Sequence, residues 1–382
     1  MSEQQLNIIF SGGGTGGHIF PAVAIADQVK VLRPDAKISF VGAQGRMEME
    51  RVPKAGYPIE GLWISGLQRK LSLDNLMFPF KLLSSLWKAD QILRRERPDV
   101  VVGTGGYASG PLLRRAAARN IPTLIQEQNA YAGLTNKWLA GAVDRICVAY
   151  PGMEKYFPAA KLMEVGNPVR EDLLTTQGDR AAACAHYGFD PKRPLIMVTG
   201  GSLGARTLNQ ALAAATDILK AQPDVQVLWQ CGKLYIEQFK DSATAQLEQV
   251  KIMPFLDRMD LAYAAADLVI SRAGALTIAE ICLLGKAVVL VPSPNVAEDH
   301  QTKNAMALAN QQAAVIVKDA NAKAELMSTA LNILQDKTGR EALAKNAKGM
   351  AYEGAAKKIA EEVLRLAVPS RETRNEPSKT HD

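Results

Sequence analysis

The chain has 382 residues, 47% of them hydrophobic and 22% charged, with a net charge of +6, a length and composition suited to two globular domains with full cores. No apolar run approaches the ~20 residues that a membrane span requires, and the four cysteines, Cys147, Cys184, Cys231 and Cys282, lack the paired spacing of disulfides or zinc sites. Aromatic residues make up 6% and do not interleave with basic ones, so nucleic-acid binding has no support.

The polar opening Met1–Leu6 is not of signal-peptide type. Ile8 to Phe10 form a short buried strand, five glycines at 12, 13, 14, 16 and 17 surround Thr15, and a helix runs from about His18 to Leu32. Glycine permits positive φ and lets a ligand lie against the backbone. The helix start presents unpaired N–H groups and a partial positive charge, which together suit an anion, most often a phosphate. Gly12-x-Gly14-x-x-Gly17 fits the dinucleotide fingerprint, but the next strand, Lys37–Val41, runs into Gly42–Gly45 with no acid at its tip. A P-loop would need lysine after the last glycine, where this chain has His18. The plain alternative is a tight turn in which His18 only opens the helix.

In Gly66–Pro98, Leu76, Phe80, Leu83 and Trp87 recur at helical spacing, and Met77, Phe78 and Leu82 widen that face. Arg69, Lys70, Lys81, Lys88, Arg94, Arg95 and Arg97 are opposed only by Asp74, Asp90 and Glu96. Core packing accounts for the stripe alone. The surplus of apolar residues with a basic rim suits a face resting on anionic lipid, worth ~1 kcal/mol per basic side chain near the surface.

Val100–Val102 leads into a second glycine loop, Gly103–Pro111, and Thr123–Gln126 ends in Gln126-Glu127-Gln128-Asn129. Arg145–Val148 and Leu162–Val165 complete the first half, and Gly166-Asn167-Pro168 punctuates the chain as a hinge. The second half restarts the opening pattern: Leu195–Thr199, then Gly200-Gly201-Ser202-Leu203-Gly204-Ala205, then a helix from about Arg206. Strands follow at Gln226–Gln230, Lys251–Met253, Leu268–Ser271, Ala287–Val291 and Ala314–Val317. Short apolar runs between helices predict an α/β protein of two doubly wound, Rossmann-like domains facing across a cleft, with ligands at the carboxyl ends of the strands. The expected domains are 1–166 and 167–367, the last helix being able to pack back on the first. Residues 368–382 cannot bury a core and are expected to be disordered.

Ser271 ends a buried strand, and a glycine turn starts a helix near Ala275. The amides of Ala275, Leu276 and Thr277 can hold an anion, while Glu280, on the same helical face as Thr277, can accept both hydrogens of a ribose diol. A favourable acid near a helix start is the bland alternative for Glu280. Pro292–Gln301 enters another helix with His300, Gln301 and Asn304 on one face.

Taken together, Gly-Gly-Thr-Gly-Gly-His at 13–18, Gly-Gly-Tyr-Ala-Ser-Gly-Pro at 105–111, Glu-Gln-Asn at 127–129, Gly-Asn-Pro-Val-Arg at 166–170, Gly-Gly-Ser-x-Gly-Ala at 200–205, Gly-Ala-Leu-Thr-x-x-Glu at 274–280 and Asp-His-Gln at 299–301 resemble, in order, the MurG family. The resemblance covers residues 5–366 and implies the GT-B fold. It also implies inverting transfer of N-acetylglucosamine from UDP-GlcNAc to undecaprenyl-diphospho-N-acetylmuramoyl-pentapeptide (lipid I), giving lipid II for the cell wall. A peripheral enzyme on the cytoplasmic face of the inner membrane, in contact with other cell-wall synthesis proteins, is implied as well.

Carried over by position, the resemblance puts the donor on the C-terminal domain: the Leu256 backbone on uracil, Glu280 on ribose, Ser202 and Ala275–Thr277 on the diphosphate with Arg170 beside it, Gln301 and Asn129 on sugar hydroxyls, and Thr15, Gly16 and Gly17 also at the donor. Gly13, Gly14, Gly105, Gly106 and Tyr107 would receive the acceptor, making the N-terminal domain the lipid I and membrane-associating one. Leu203 departs from a glutamine frequent in the family, and Gln126 from a histidine. His18 is the candidate base for the acceptor C4 hydroxyl, a neutral imidazole beside a helix start able to take a proton near pH 7. No Asp-x-Asp metal motif occurs, so neither metal nor cofactor is expected, and the Ala275 helix start with Arg170 would stabilise the leaving diphosphate. A UDP-GlcNAc 2-epimerase of the same architecture and a non-catalytic nucleotide-sugar sensor are the alternatives.

Overall fold

The computed structural model describes residues 5–66, 77–169, 172–175, 178–201, 203–296 and 299–368. Arg69, Lys70, Asp74, Leu76, Arg170, Ser202 and the segment 369–382 lie outside the described residues. The chain divides into two compact units, one of Met1–Val169 with Gly354–Asp382 and the other of Arg170–Glu353.

In the first unit a parallel sheet is ordered β3-β2-β1-β4-β5-β6-β7, with β1 Asn7–Gly12, β2 Lys37–Ala43, β3 Ile59–Leu62, β4 Val100–Gly105, β5 Thr123–Glu127, β6 Arg145–Val148 and β7 Leu162–Glu164. The central β1 and β4 are apolar on both faces because helices cover both. β3 was absent from the sequence expectation: its Ile-Glu-Gly-Leu run is too short and too polar to show a pattern, and its pairing with β2 (Phe40 opposite Ile59) fixes it.

The helix Gly16–Leu32 starts two residues earlier than expected and buries Ile19, Ala22, Val23, Ile25, Ala26 and Val29 on one face of this sheet. The helix Ala355–Ala367 packs into the same cluster through Ile359, Ala360, Val363 and Ala367. Arg145 Nε donates to Glu362 Oε1 at 2.6 Å, which ties this last helix to β6. The chain therefore returns to complete the first core after building the second.

The opposite face carries helices Phe78–Glu96, Ser109–Ala117 and Leu134–Leu139 over a second cluster. Asp90 joins the first two of these helices, accepting from Arg115 at 2.6 Å and from Arg119 at 2.7 Å. Arg119, joined by Arg115, holds the Asp90 carboxyl well below the usual carboxylate range. A carboxyl depressed in the folded state contributes stability above its unfolded pKa and loses it as pH falls through the folded value, so the clamp is fully in place near neutrality.

On Phe78–Glu96, the buried positions are Ser85, Ala89, Asp90, Ile92 and Leu93, whereas Phe80, Leu83 and Trp87 are 63%, 65% and 66% exposed. Those members of the predicted stripe are therefore not core. Phe78 and Leu82 are half-buried, and Leu82 packs on the cluster beneath. Lys88 and Arg95 pair with Glu60, and Arg94 with Asp90, so much of the basic surplus on this helix is neutralised locally.

The second unit holds a parallel sheet ordered β10-β9-β8-β11-β12-β13, with β8 Leu195–Thr199, β9 Gln226–Gln230, β10 Val250–Met253, β11 Leu268–Ser271, β12 Val288–Leu290 and β13 Val315–Ile316. Trp229, Phe239, Leu326 and Leu331 anchor its core. All four cysteines are buried, and burial pushes the Cys147 and Cys282 thiols up to about 12, which makes them poor nucleophiles. Among the described residues no helix is long and apolar enough to cross a membrane.

Candidate functional site

Most of the predicted site residues that the structure describes follow the carboxyl ends of the sheet strands, where a parallel sheet leaves its loops open. In the first unit the turn after β1 and the turn after β4 interlock. Gly13 N–H donates to Gly105 O at 3.3 Å, Thr104 Oγ1 to His18 O at 2.7 Å, and Ser109 Oγ to Ser11 O at 2.9 Å. Gly106 has φ +91°, and a Cβ there would lie 2.4 Å from Gly13 O, so only glycine lets the turns approach.

The amides of Gly13 and Gly14 are already engaged, the first by Gly105 O and the second by Glu48 Oε2 at 2.9 Å. These two glycines shape the loop rather than offer donors. Gly16 and Gly17 open the helix, and Thr15 makes no capping hydrogen bond, so their amides keep the anion-facing character of a helix start. Thr15 and Gly17 are exposed, Gly16 is half-buried, and Tyr107 stands exposed after the second turn.

His18 is half-buried, with Nδ1 2.9 Å from Gly13 O. A carbonyl oxygen cannot donate, so Nδ1 carries the hydrogen and Nε2 of the neutral ring keeps its lone pair. The ring lies on Gly105, where a Cβ would come within 2.9 Å of His18 Cδ2 and 3.0 Å of Nε2. Gly105, with φ +102°, thus makes room for the imidazole.

At the tip of β5, Glu127 accepts from Asn129 N at 3.1 Å, Gly133 N at 2.9 Å and Asn136 Nδ2 at 2.8 Å. Gln126, the position that departs from the family pattern, is buried and donates to Asn167 Oδ1 at 3.0 Å. Asn167 in turn donates to Gln128 O at 2.9 Å. This run is a buried polar network that fixes the loop bearing Asn129, and Glu127 and Gln128 are spokes within it.

In the second unit the Gly200–Ala205 turn is closed by neutral groups. Gly201 N–H donates to Thr199 Oγ1 at 3.2 Å, Thr199 Oγ1 donates to Gln230 Oε1 at 2.7 Å, and Gln230 Nε2 donates to Gly201 O at 3.1 Å. Leu203 is exposed, so its departure from the family glutamine disturbs no packing.

The helix Ala275–Leu284 follows Gly274 with no side-chain cap and no acid in its first turn, leaving Ala275, Leu276 and Thr277 at the positive end of the dipole. Glu280 Oε2 accepts from Tyr263 Oη at 2.8 Å, and Tyr263 is fully buried. That bond turns one carboxylate oxygen and fixes the side chain that was expected at the ribose. Leu256 buries its side chain in the irregular segment between β10 and the helix Met259–Ala265, outside any strand ladder. Gln301, at the start of the helix His300–Ala309, accepts from Ser293 N at 2.8 Å.

Sequence reasoning missed Glu48, Thr104 and Tyr263, all of which act on the predicted residues. Glu48 opens a short helix, where an acid is ordinary, and only its distance in space to Gly14 marks it out. Tyr263 lies 17 positions from Glu280 with no local pattern joining them.

Residues 8–148 match the glycosyltransferase family 28 N-terminal domain and residues 195–363 the family 28 C-terminal domain. The chain is 53% identical over 367 residues to a UDP-N-acetylglucosamine--N-acetylmuramyl-(pentapeptide) pyrophosphoryl-undecaprenol N-acetylglucosamine transferase of Bacteroides fragilis, covering 96% of this chain and 97% of that one. It is 54% identical to the protein of the same name from Bacteroides thetaiotaomicron, covering 96% and 99%. Among solved structures, Acinetobacter baumannii MurG superposes with a TM-score of 0.75 at 30% identity over 95% of this chain and all of that one. The chain belongs to the MurG family, within glycosyltransferase family 28.

Proposed function

We propose that the protein transfers N-acetylglucosamine from UDP-GlcNAc to the C4 hydroxyl of the N-acetylmuramoyl residue of lipid I. Relatives of that name, alike over nearly their whole length, support the choice of substrates. The observation that carries the chemistry is His18, whose Nδ1–H is held by Gly13 O so that Nε2 is the proton acceptor. In a single inverting displacement the acceptor O4–C1 bond forms as the C1–O bond to UDP breaks. The hydroxyl proton passes to His18 Nε2, and the electron pair leaves with UDP.

On this reading the second unit holds the donor. Glu280 takes the ribose diol, the Leu256 backbone takes uracil, Gln301 takes the sugar, and the amides of Ala275, Leu276 and Thr277 take the diphosphate, where the helix start also stabilises the charge that develops on departure. Arg170 and Ser202 are assigned to the same diphosphate from sequence alone. The first unit receives the acceptor at the turn of Gly105–Tyr107, and the exposed ridge of Phe80, Leu83 and Trp87 rests on the lipid surface that carries it.

The deciding assay gives purified protein radiolabelled UDP-GlcNAc and a lipid I analogue. Label should move into the lipid fraction, and formation of UDP-ManNAc or binding without transfer would overturn the reading. His18→Ala should lower kcat by roughly 100-fold or more with donor affinity kept; unchanged turnover removes His18 from the role. Replacing Phe80, Leu83 and Trp87 together by serine should weaken sedimentation with anionic vesicles at least tenfold, since each buried apolar side chain is worth ~1.5–3 kcal/mol. Undiminished sedimentation places lipid contact elsewhere.

A further inference from the structure

One buried acid in the first unit has no place in the proposed reaction. Glu48 is fully buried, and no Lys or Arg pairs with it among the described residues. An uncompensated carboxylate in that position is costly unless hydrogen bonds and a task hold it there. Its Oε1 accepts from Ala43 N at 3.0 Å and its Oε2 from Gly14 N at 2.9 Å. The second bond matters because Gly14 N–H and Gly13 C=O belong to one peptide group, and Gly13 O is the atom that receives His18 Nδ1–H at 2.9 Å.

We propose that Glu48 is the positioning residue of the His18 base, acting through the single peptide group between Gly13 and Gly14. The order is carboxylate, N–H, C=O, Nδ1–H, with Nε2 facing the substrate. The peptide plane relays two effects. Accepting from the N–H end, the carboxylate polarises the amide and raises the negative charge on Gly13 O, so the ring is held as the Nδ1–H tautomer. It also strengthens the same bond when Nε2 gains the hydroxyl proton and the imidazolium forms. No proton moves beyond the ring.

Local geometry is built around this chain of bonds. A Cβ on Gly13 would fall 2.1 Å from Glu48 Oε1, and Gly14 takes φ +83°, a conformation that side chains resist. On the far side the ring is backed by Gly105. Glycine at 13, 14 and 105 therefore serves the carboxylate–peptide–imidazole stack as much as any phosphate.

The proposal rests on His18 being the base, and a double-mutant cycle separates the two claims. Turnover is measured by the lipid I transfer assay for the wild type, His18→Ala, Glu48→Gln and the double variant. Glu48→Gln should lower kcat about tenfold in the wild-type background, leave the KM for UDP-GlcNAc within twofold, and change the residual rate of His18→Ala less than twofold. An equal loss in both backgrounds, or none in the first, overturns the positioning role while leaving the base intact. Full turnover by His18→Ala overturns the base and this proposal with it. Should Glu48→Gln fail to fold, histidine 15N spectra of the wild type decide, with His18 assigned by its loss in His18→Ala. A pyrrole-type Nδ1 and pyridine-type Nε2 are expected, and the reverse tautomer overturns the proposal.

Discussion

Behind the turn at Gly12–Gly17 stands a buried carboxylate, Glu48; behind the turn at Gly200–Ala205 stand a hydroxyl and two amides, Thr199, Gln230 and Asn209. Both turns follow a central strand and open a helix. In the second, the supporting groups found among the described residues are neutral: Asn209 Nδ2 donates to Cys231 O at 2.8 Å, and Trp229 Nε1 donates to Asn209 Oδ1 at 3.0 Å. The physics of the proposed ligands accounts for the difference. A turn that receives a diphosphate loses affinity to any nearby negative charge, whereas a turn that carries a general base gains from a carboxylate that stabilises the protonated ring.

Glycine substitutions should separate the two turns most sharply. Gly204 has φ +77°, and a Cβ there would meet the backbone oxygen of Cys231 at 2.0 Å, so Gly204→Ala forces main chain to move. It should cost ~2–4 kcal/mol and abolish UDP-GlcNAc binding. The counterpart Gly13→Ala meets the carboxylate of the buried Glu48 side chain rather than main chain, and displaces a group that two backbone amides hold. Its melting loss should be smaller than that of Gly204→Ala while kcat falls, and calorimetry with the transfer assay reads both; equal melting losses would erase the contrast.

Giving the second turn the first one's chemistry comes next. Gln230→Glu places a carboxylate under Gly201 and should weaken UDP-GlcNAc binding roughly tenfold, with part of the loss recovered in high salt. Isothermal titration at two ionic strengths checks it, and unchanged affinity would argue that the diphosphate lies elsewhere. The smallest effect belongs to Tyr263→Phe, which deletes the bond to Glu280. A lost hydrogen bond to a charged group at a half-buried site is worth ~1 kcal/mol, so the KM for UDP-GlcNAc should rise about fivefold with kcat nearly constant.

What the sequence by itself determined was the alternation of apolar runs and glycine turns, because strand, turn and helix start are local events set by residues within a few positions of each other. That was enough to place two parallel sheets and to pick out His18, the Gly105–Gly106 turn and the Ala275 helix start. It also placed Phe80, Leu83 and Trp87 on one helix face, but could not tell core from surface, since a stripe buried on a sheet and one left outside have the same spacing. Only the tertiary structure decided that, along with the short strand Ile59–Leu62 and the approach of Glu48 to Gly14 and of Tyr263 to Glu280. Each of these joins residues far apart in the chain through burial or a single hydrogen bond, and neither leaves a periodic trace in the order of amino acids.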